Sequence, residues 1–446
     1  MADTDPRNAY GPYFQRQRVE IYHTYAKSLV ERGLAYPCFC TEEELDKVRA
    51  KQEEDKVLTG YYGEYATCRN LSYEEIEANI KAGKPYVLRL RSQGSPDKEI
   101  TFVDAIKGEI KLPENIHDIV LLKKDGIPTY HFAHAIDDHL MRTTTVVRGG
   151  EWLASAPIHY ELFHLLGFKM PAYAHTAHLM KFDEETGGKR KLSKRKDPEL
   201  SLDYYRKDGY HPYTMKVYLL TLLNSNFEEW HEKFPDKDIN EFPFSVEKMN
   251  QSGALFDKDK LHNICKNELS KLSEEELYDF LYDWAKENEP ENVEKWFGDR
   301  EKMLQILRLY MGVGAKRRRK DLMYAKQIFE LISYFFDGES AEEMDEFKLD
   351  EDMVSKILKS YLAKYDHNDD NSVWFNKLKE IADEHGFASD MKAYKANPEN
   401  FKGNVSDIAE AVRIAVTGRA NTPDLWTIVH IMGEEQMTER IKKHIK

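Results

Sequence analysis

The sequence predicts a mixed α/β part at the amino-terminal end of the chain and an all-α part at its carboxy-terminal end. Short apolar or alternating stretches, typical of strands, occupy residues 87–91, 100–104 and 119–122. From residue 244 onward the sequence is charged and helical in character. At 446 residues the chain is long enough for about three domains, each with its own core.

The composition is that of a soluble intracellular protein. Hydrophobic residues make up 41% of the chain and charged residues 32%, and no apolar run approaches the roughly 20 residues that a membrane-spanning helix needs. The amino terminus lacks the basic and apolar regions of a signal peptide, and four cysteines are too few for a disulfide framework. We therefore expect a cytoplasmic monomer without a membrane partner.

The first elements follow from local patterns. An amphipathic helix is predicted near the start, and Gly33 is placed to end it in the left-handed conformation. Its apolar face comprises Val19, Tyr22, Ala26, Leu29 and Val30. A charged helix follows over residues 42–56, and Ser72 with Glu75 forms a capping box that opens another helix. Strands are then predicted at 87–91, 100–104 and 108–110.

The stretch from residue 118 to 152 predicts strand, loop, strand and then a helix. A buried strand at 119–122 precedes a turn, and residues 128–141 are interpreted as a strand and loop. Ligands of folds with this order collect at the carboxyl ends of the strands. Neighbouring residues of a strand point to opposite faces, so we interpret residues 137–139 (Asp-Asp-His) as a structural loop, with a metal site as the alternative.

Arg148 closes a predicted buried strand with a planar cation. A guanidinium suits bidentate recognition of a carboxylate, whereas the alternative is a surface salt bridge.

A dense basic stretch stands out in a chain whose formal net charge is −14. Residues 188–196 hold six cations in nine positions, and turn-forming residues on both sides predict a mobile loop. Such charge is costly to assemble unless an anion lies near it. Lysines on a flexible loop can close over a triphosphate and follow charge onto pyrophosphate. A solvated loop or a nucleic-acid patch is the alternative.

Several of these motifs resemble those of the class I aminoacyl-tRNA synthetases specific for glutamate. Residues 191–195 (Lys-Leu-Ser-Lys-Arg) resemble the family's Lys-Met-Ser-Lys-Ser loop. Residues 128–141 resemble its Pro-Thr-Tyr-x-Phe-Ala-x-x-x-Asp-Asp-His-Leu-Met segment, and residues 146–152 its Val-Ile-Arg-Gly-Glu-Glu-Trp segment. Residues 11–18 and 36–40 match the family's Gly-Pro-Tyr-Phe-Gln-Ser-Gln-Arg and Tyr-Pro-Cys-Phe-Cys segments, apart from Arg16 in place of a serine.

The resemblance implies a partial Rossmann-type catalytic domain followed by a helical anticodon-binding domain. It implies ligation of glutamate to tRNA(Glu) in two steps through a glutamyl-adenylate, with ATP and Mg2+. By this resemblance the chain divides into a remnant of the first half of the nucleotide-binding fold (1–36), an acceptor-end-binding insertion with a candidate zinc site (37–117), the second half of that fold with the basic loop (118–200), a helical junction that contacts the tRNA stem (201–270) and the anticodon-binding domain (271–446).

The resemblance also assigns site residues. Glutamate is expected to contact Tyr130, His134, Arg148 and Glu151, with Arg148 on its side-chain carboxylate. ATP is expected to contact Trp152, Lys191, Lys194 and Arg195, and the catalytic residues are Lys191, Ser193 and Lys194. Gly150 replaces the usual first glutamate of its pair, and His134 stands where relatives often have another residue.

A zinc site is one interpretation of the cysteines. Cys38 and Cys40 with Cys68 downstream supply three of the four ligands that zinc needs. Related enzymes complete the site with a histidine or tyrosine, and Glu64 and Tyr65 are the nearby candidates here. Three buried structural cysteines are the alternative.

The carboxy-terminal helices are predicted by caps and apolar faces. Ser273 opens one helix, and Thr422 with Pro423 at the first helical position opens another. The resemblance assigns Arg413 and Leu425 to an anticodon base. The basic run at 316–320 is either an RNA contact or a solvated helix face.

One family motif is not found in the sequence. None of the histidines forms the His-x-Gly-His pattern that holds ATP phosphates in class I synthetases. We therefore expect an amino-terminally truncated ligase that binds tRNA but does not activate glutamate by itself, and whose sheet has an unpaired edge at Arg148. The alternatives are a non-catalytic tRNA-binding paralogue and a ligase for glutamine or for both amino acids.

Overall fold

The computed structural model describes residues 10–183, 185–251, 253–336 and 344–446, so the first nine residues of the predicted segment 1–36 lie outside the description. The chain forms two compact units. The first contains the residues up to Lys191 together with Thr221–Leu255, and the second contains Leu192–Leu220 and Phe256–Lys446. The five segments predicted from the sequence remain a prediction at this finer level.

The strands belong to the first unit. In chain order they are β1 (Ala35–Cys38), β2 (Val87–Leu90), β3 (Glu99–Asp104), β4 (Gly108–Pro113), β5 (Val120–Leu122), β6 (Thr145–Gly149), β7 (Ala172–Thr176), β8 (Leu179–Phe182), β9 (Lys189–Lys191) and β10 (Ala254–Leu255). The predicted strands at 87–91, 100–104, 108–110 and 119–122 are confirmed as β2, β3, β4 and β5.

Helices occur in both units and make up the second. They are α1 (Val19–Glu31), α2 (Glu42–Glu54), α3 (Tyr73–Lys81), α4 (Tyr130–Leu140), α5 (Ala156–Leu166), α6 (Leu202–Asp208), α7 (Pro212–Leu223), α8 (Phe227–Lys233), α9 (Lys258–Leu269), α10 (Glu274–Asn288), α11 (Val293–Phe297), α12 (Arg300–Met311), α13 (Ala325–Ile332), α14 (Glu351–Lys364), α15 (Asn371–His385), α16 (Met391–Ala396), α17 (Val405–Thr417), α18 (Leu425–Met432) and α19 (Glu434–Lys442). Within the described ranges, no helix is both long and apolar enough to cross a bilayer.

Within the described residues the strands form three small sheets, of which one carries the candidate site. That sheet has the order β4-β3-β7-β6, with β3 and β4 antiparallel and β6 and β7 parallel. Helix α5 connects β6 to β7, as in a nucleotide-binding βαβ unit. The register places Arg148 of β6 beside His175 of β7, and Asp104 of β3 beside Tyr173 of β7.

A core of helices α1, α4 and α5 packs with strands β1, β2 and β5 in the first unit. Tyr22 and Leu29 of α1, Phe132 of α4 and Leu162 of α5 are fully buried in it. The predicted helix end at Gly33 is confirmed by its φ of +69°. Val30, predicted for the buried face of α1, is 43% exposed instead.

Residues 130–140 were expected to be a strand and loop, and this prediction is wrong, because they form helix α4. The apolar residues Phe132, Ala133 and Ile136 recur at helical spacing and bury one face. Two acidic residues of the expected loop are engaged by other side chains of the first unit. Asp137 accepts hydrogen bonds from Arg18 and Tyr22, and Asp138 pairs with His134.

Helix starts were predicted well, with one exception. The capping boxes at Ser72 and Ser273 are both formed. Helix α18, however, begins at Leu425, and Asp424 rather than Thr422 caps it by accepting from the Thr427 N–H. A carboxylate at this position both accepts the free N–H and favours the positive helix end.

Strand β6 is an edge of its sheet in the described structure, as expected from the sequence. Its outward Val147 is 58% exposed, and exposed apolar edges promote strand pairing between molecules. We predict that Val147→Lys reduces concentration-dependent association measured by light scattering, without lowering the melting temperature. Val103→Lys is the control, because Val103 is 65% exposed on β3, which has a neighbour on each side. Equal association of the parent and the Val147 variant would contradict the prediction.

Candidate functional site

Arg148 lies at the carboxyl end of β6 and is held by neutral acceptors. Its Nε donates to His175 Nε2 at 2.9 Å, and its Nη1 donates to His159 Nδ1 at 3.1 Å. Nη2 reaches the backbone oxygen of Trp152 at 3.4 Å. Arg148 makes no ion pair with any carboxylate in the described part of the chain. The guanidinium therefore keeps an unbalanced positive charge that an anionic ligand can neutralise.

Aromatic rings surround this cation. The guanidinium carbon lies 4.7 Å from the Tyr173 ring centre and 5.9 Å from that of Trp152. The Tyr130 ring packs 4.6 Å from Trp152 and is itself 47% exposed. Rings of this kind exclude water around a charge and strengthen its interaction with a ligand. The structure therefore brings Tyr130, Arg148 and Trp152 together, as the sequence predicted.

His134 and Glu151, the other two predicted substrate contacts, differ in their availability. Both ring nitrogens of His134 are engaged, one with Asp138 at 2.6 Å and the other with the Tyr173 hydroxyl at 2.7 Å. The predicted polar contact between His134 and substrate is not supported by this geometry, since only the ring face remains. The Glu151 carboxylate is half-exposed and lies 3.4 Å from His178 Nδ1.

Sequence reasoning missed three histidines that complete the cluster. His175 is fully buried and its Nδ1 lies 2.6 Å from the Asp104 carboxylate. His159, also fully buried, has its Nε2 2.9 Å from His131 Nδ1. His175 meets Arg148 through the parallel register of β6 and β7, and His159 is presented by a turn of α5. Neither arrangement leaves a signal in the local sequence. Only the unusual number of histidines between residues 131 and 178 pointed to this region.

Burial keeps these imidazoles neutral. Burial and the neighbouring cationic groups lower the pKa of His159 to about 2. Burial also lowers the pKa of His131 and of His175, although the Asp104 hydrogen bond acts on His175 in the opposite direction. Neutral rings can accept hydrogen bonds from Arg148, whereas protonated rings would repel it.

The basic loop contains a tight turn that is flanked by buried residues. Lys191 ends strand β9, and the residues after it belong to the second unit. Leu192 and Asp197 are buried, and the Asp197 carboxylate accepts from the Ser193 N–H at 2.8 Å. Lys194 and Arg195 are exposed on this turn. The predicted mobile loop is thus anchored at both ends of its Ser193–Asp197 turn.

The three predicted zinc ligands lie together in the first unit. The sulfur atoms of Cys38, Cys40 and Cys68 all lie within 4.8 Å of one another. Hydrogen bonds from the other two thiols lower the pKa of Cys38, which favours a thiolate. The hydroxyl of Tyr61 lies 3.4 Å from Cys38 Sγ and 3.3 Å from Cys40 Sγ. Three sulfurs and one phenol oxygen provide four donor atoms, which is the number that a structural zinc site needs.

The two fourth ligands expected from the sequence lie elsewhere. Glu64 is exposed, and the Tyr65 hydroxyl donates to Asp55 at 3.0 Å. The buried hydroxyl of Tyr61, by contrast, lies beside the cysteines and accepts from the Cys68 N–H at 3.0 Å.

The predicted anticodon contacts are placed unequally. Arg413 is half-buried, and its Nη1 donates to the Ala420 carbonyl at 3.3 Å. Leu425 is only 3% exposed and packs in the helical core of the second unit. A direct base contact by the Leu425 side chain is not supported by this burial.

The chain matches two family models. One, described as "tRNA synthetases class I (E and Q), catalytic domain", covers residues 2–263, and the other, "Anticodon binding domain", covers residues 276–445. A glutamate–tRNA ligase of Acetivibrio thermocellus is 53% identical over 436 residues, which are 97% of this chain and 79% of the relative. One from Clostridium perfringens is 46% identical over 448 residues, or 99% of this chain and 80% of the relative.

A solved structure is also similar. The crystal structure of a glutamate tRNA ligase from Elizabethkingia meningosepticum, in complex with its amino acid, superposes with a TM-score of 0.74 at 26% identity. The superposition covers 98% of this chain and 84% of that chain.

Neutral His159 makes the stability of the first unit depend on pH. Its pKa falls from 6.5 to about 2 on folding, so below pH 6.5 the unfolded chain binds a proton that the folded chain excludes. Stability therefore decreases as pH falls, by about 2 kcal/mol of unfolding free energy between pH 6.5 and pH 5. We predict that His159→Gln removes this part of the pH dependence in urea denaturation. The control is His164→Gln on the exposed side of α5, and identical slopes for parent and His159 variant would contradict the assignment.

Proposed function

The chain belongs to the class I glutamate–tRNA ligase family, and we propose that it ligates glutamate to tRNA through a glutamyl-adenylate formed with ATP. The observation that carries the proposal is the guanidinium of Arg148, which is fixed by two neutral imidazoles and has no carboxylate partner among the described residues. A planar cation with an unmet charge fits the side-chain carboxylate of glutamate.

The same charge favours glutamate over glutamine. A carboxamide would leave the half-buried guanidinium without a counter-charge, and an unpaired buried charge is costly. The Tyr130 ring packs on Trp152, which lies beside the same cation, and Glu151 follows Arg148 closely in the chain. Both side chains are accessible to an amino acid. Glutamate would thus be oriented between Arg148 and these two side chains.

ATP supplies the energy for activation, accompanied by Mg2+, and the chain supplies cations that follow its phosphates. Lys194 and Arg195 are exposed on the Ser193–Asp197 turn, where their charges face solvent. Lys191 precedes them at the end of β9, and the Ser193 N–H is held by Asp197. Preorganised cations stabilise charge that develops on the leaving pyrophosphate. Trp152 offers a ring face for adenine.

The helical part is proposed to bind the anticodon end of tRNA. Arg308, Arg317 and Arg319 line a cavity of about 720 Å3 in the second unit, together with Thr427 and His430. Arginines beside polar groups suit phosphate and base edges. We propose that the basic run at 316–320 contacts RNA, with Arg413 bonded to the loop that follows α17. The monomeric state and cytoplasmic location remain predictions.

We also propose that Cys38, Cys40, Cys68 and Tyr61 bind one zinc ion with a structural role. Four converging donors leave no position for substrate, as in closed structural sites. When bound, zinc would hold the end of β1 to the segment that carries Cys68.

The proposed function is tested by binding first and by chemistry second. Calorimetry with glutamate and filter binding with tRNA report recognition directly, and transfer of labelled glutamate to tRNA reports the complete reaction. Binding of both substrates supports the proposal, and binding of tRNA alone would favour the non-catalytic alternative. Pyrophosphate exchange by the 446-residue chain would support the proposed activation of glutamate and would contradict the sequence-based expectation that this chain does not activate glutamate by itself.

Arg148→Gln removes the charge but keeps hydrogen-bond donors in place. We predict a loss of about 3 kcal/mol, or roughly 100-fold, in glutamate affinity, because the substrate carboxylate loses its charge-assisted pair. Titration calorimetry of glutamate against parent and variant provides the measurement. Arg49→Gln on the exposed surface of α2 is the control. Unchanged glutamate affinity in the Arg148 variant would show that this arginine is not the carboxylate ligand.

The zinc assignment predicts a specific effect of one hydroxyl. Parent protein should carry one zinc per chain by mass spectrometry of the metal, and Tyr61→Phe should release it to a chelator faster, because one of four ligands is lost. Tyr62→Phe is the matched control, since the Tyr62 hydroxyl donates to the Leu58 carbonyl instead. Metal-free parent protein, or equal release rates for the two variants, would exclude this ligand set.

A further inference from the structure

The hydrogen-bond pattern around Arg148 continues outward in two directions. On one side, His175 links the Nε of Arg148 to the carboxylate of Asp104, at 2.9 Å and 2.6 Å. On the other side, His159 links Nη1 of Arg148 to His131, at 3.1 Å and 2.9 Å. The chain of contacts thus runs from the end of β3 through the arginine to helix α4.

The direction of each hydrogen bond follows from the arginine. A guanidinium can only donate, so His175 Nε2 and His159 Nδ1 must both be unprotonated acceptors. Neutral His175 then carries its proton on Nδ1, which donates to Asp104. Neutral His159 carries its proton on Nε2, which donates to His131. One tautomer of each ring satisfies the whole pattern.

Asp104 is suited to hold this arrangement. Its side chain is fully buried, and one carboxylate oxygen accepts from the Ile106 and Lys107 N–H groups, both at 2.9 Å. The other oxygen accepts from the backbone N–H of His175 at 3.0 Å as well as from its ring. A carboxylate fixed by four donors cannot rotate or take up a proton easily, and it therefore dictates the His175 tautomer.

We infer that Asp104, His175 and His159 are positioning residues for the substrate-binding arginine, and that they make the site selective for a carboxylate over a carboxamide. The two imidazoles bind Arg148 Nε and Nη1 without neutralising it, and so aim its charge at the ligand. The inference rests on the proposed function, because it assumes that Arg148 receives the side chain of glutamate. None of the three residues needs to touch the substrate.

This arrangement differs from an ordinary buried ion pair. A carboxylate in the place of either imidazole would cancel the charge of Arg148 and remove the preference for an acidic ligand. Asp104 instead acts one residue away, with the His175 ring between its negative charge and the guanidinium. The intervening neutral ring fixes the orientation of the guanidinium but leaves its charge available to a ligand.

The first test reads the tautomers without any ligand. Nitrogen-15 NMR of the histidine-labelled 446-residue protein distinguishes protonated from bare ring nitrogens, and the loss of a signal in each variant assigns that signal. We expect at pH 7 a proton on Nδ1 of His175 and on Nε2 of His159. A His175 ring that is charged, or that carries its proton on Nε2, would overturn the inference.

The second test separates hydrogen bonding from packing. His175→Gln places an acceptor oxygen where Nε2 was, whereas His175→Met fills similar space with no such acceptor. We expect the methionine variant to lose glutamate affinity by about 100-fold, because Arg148 is misplaced, and to discriminate less between glutamate and glutamine. The glutamine variant should keep part of both the affinity and the discrimination. His164→Gln, on the exposed side of α5, should match the parent.

Calorimetry with each amino acid and thermal melting of each variant provide the readout. Equal losses in the glutamine and methionine variants at equal melting temperature would overturn the positioning role. Failure of the parent chain to bind glutamate would instead refute the proposed function and with it the selectivity, whereas the NMR result would still decide the tautomers. If both variants unfold, the tautomers measured in the parent protein decide whether the inference stands.

Discussion

A guanidinium that is bound by neutral groups only is the constraint on which the candidate site depends. Arg148 could be stabilised more simply by a carboxylate, but none pairs with it among the described residues. The structure instead surrounds it with buried imidazoles and aromatic rings, which hold the group while leaving its charge unsatisfied. Acceptors of this type cost stability at low pH, because His159 must stay deprotonated. We expect such a loss of stability only where the positive charge serves a function.

The small sheet β4-β3-β7-β6 places these groups by register. Parallel pairing sets Arg148 beside His175, and the short contact of β3 with β7 sets Asp104 beside the same strand. Asp104 comes from the segment predicted to be an acceptor-end-binding insertion, whereas Arg148 comes from the segment predicted to be the second half of the nucleotide-binding fold. Strand β3 therefore supplies a buried carboxylate to the surroundings of Arg148.

Sequence reasoning identified the residues that are proposed to bind substrates but not the residues that support them. Arg148, Tyr130 and Trp152 were found because their motifs are contiguous, and the strands and capping boxes were found because their signals are local. His159, His175, Asp104 and Tyr61 escaped, since only tertiary register brings them to their partners. The prediction for α4 was wrong because it followed the resemblance of the motif rather than the helical spacing of its apolar residues. Leu425 was assigned to RNA, although its apolar side chain gains more by burial in the core.

The arrangement also bears on the choice between a ligase and a tRNA-binding paralogue. A protein that only binds RNA needs cations on its surface, where they stay hydrated and where phosphates can reach them. Arg148 is half-buried under aromatic rings. Two buried histidines, one partly buried histidine and one buried aspartate are committed to it directly or through one another. Without a carboxylate ligand to receive, replacing this cluster by apolar residues would be neutral or stabilising. Local features that reduce stability are expected at functional sites. The retained cation is therefore better explained by recognition of an acidic amino acid than by RNA binding alone.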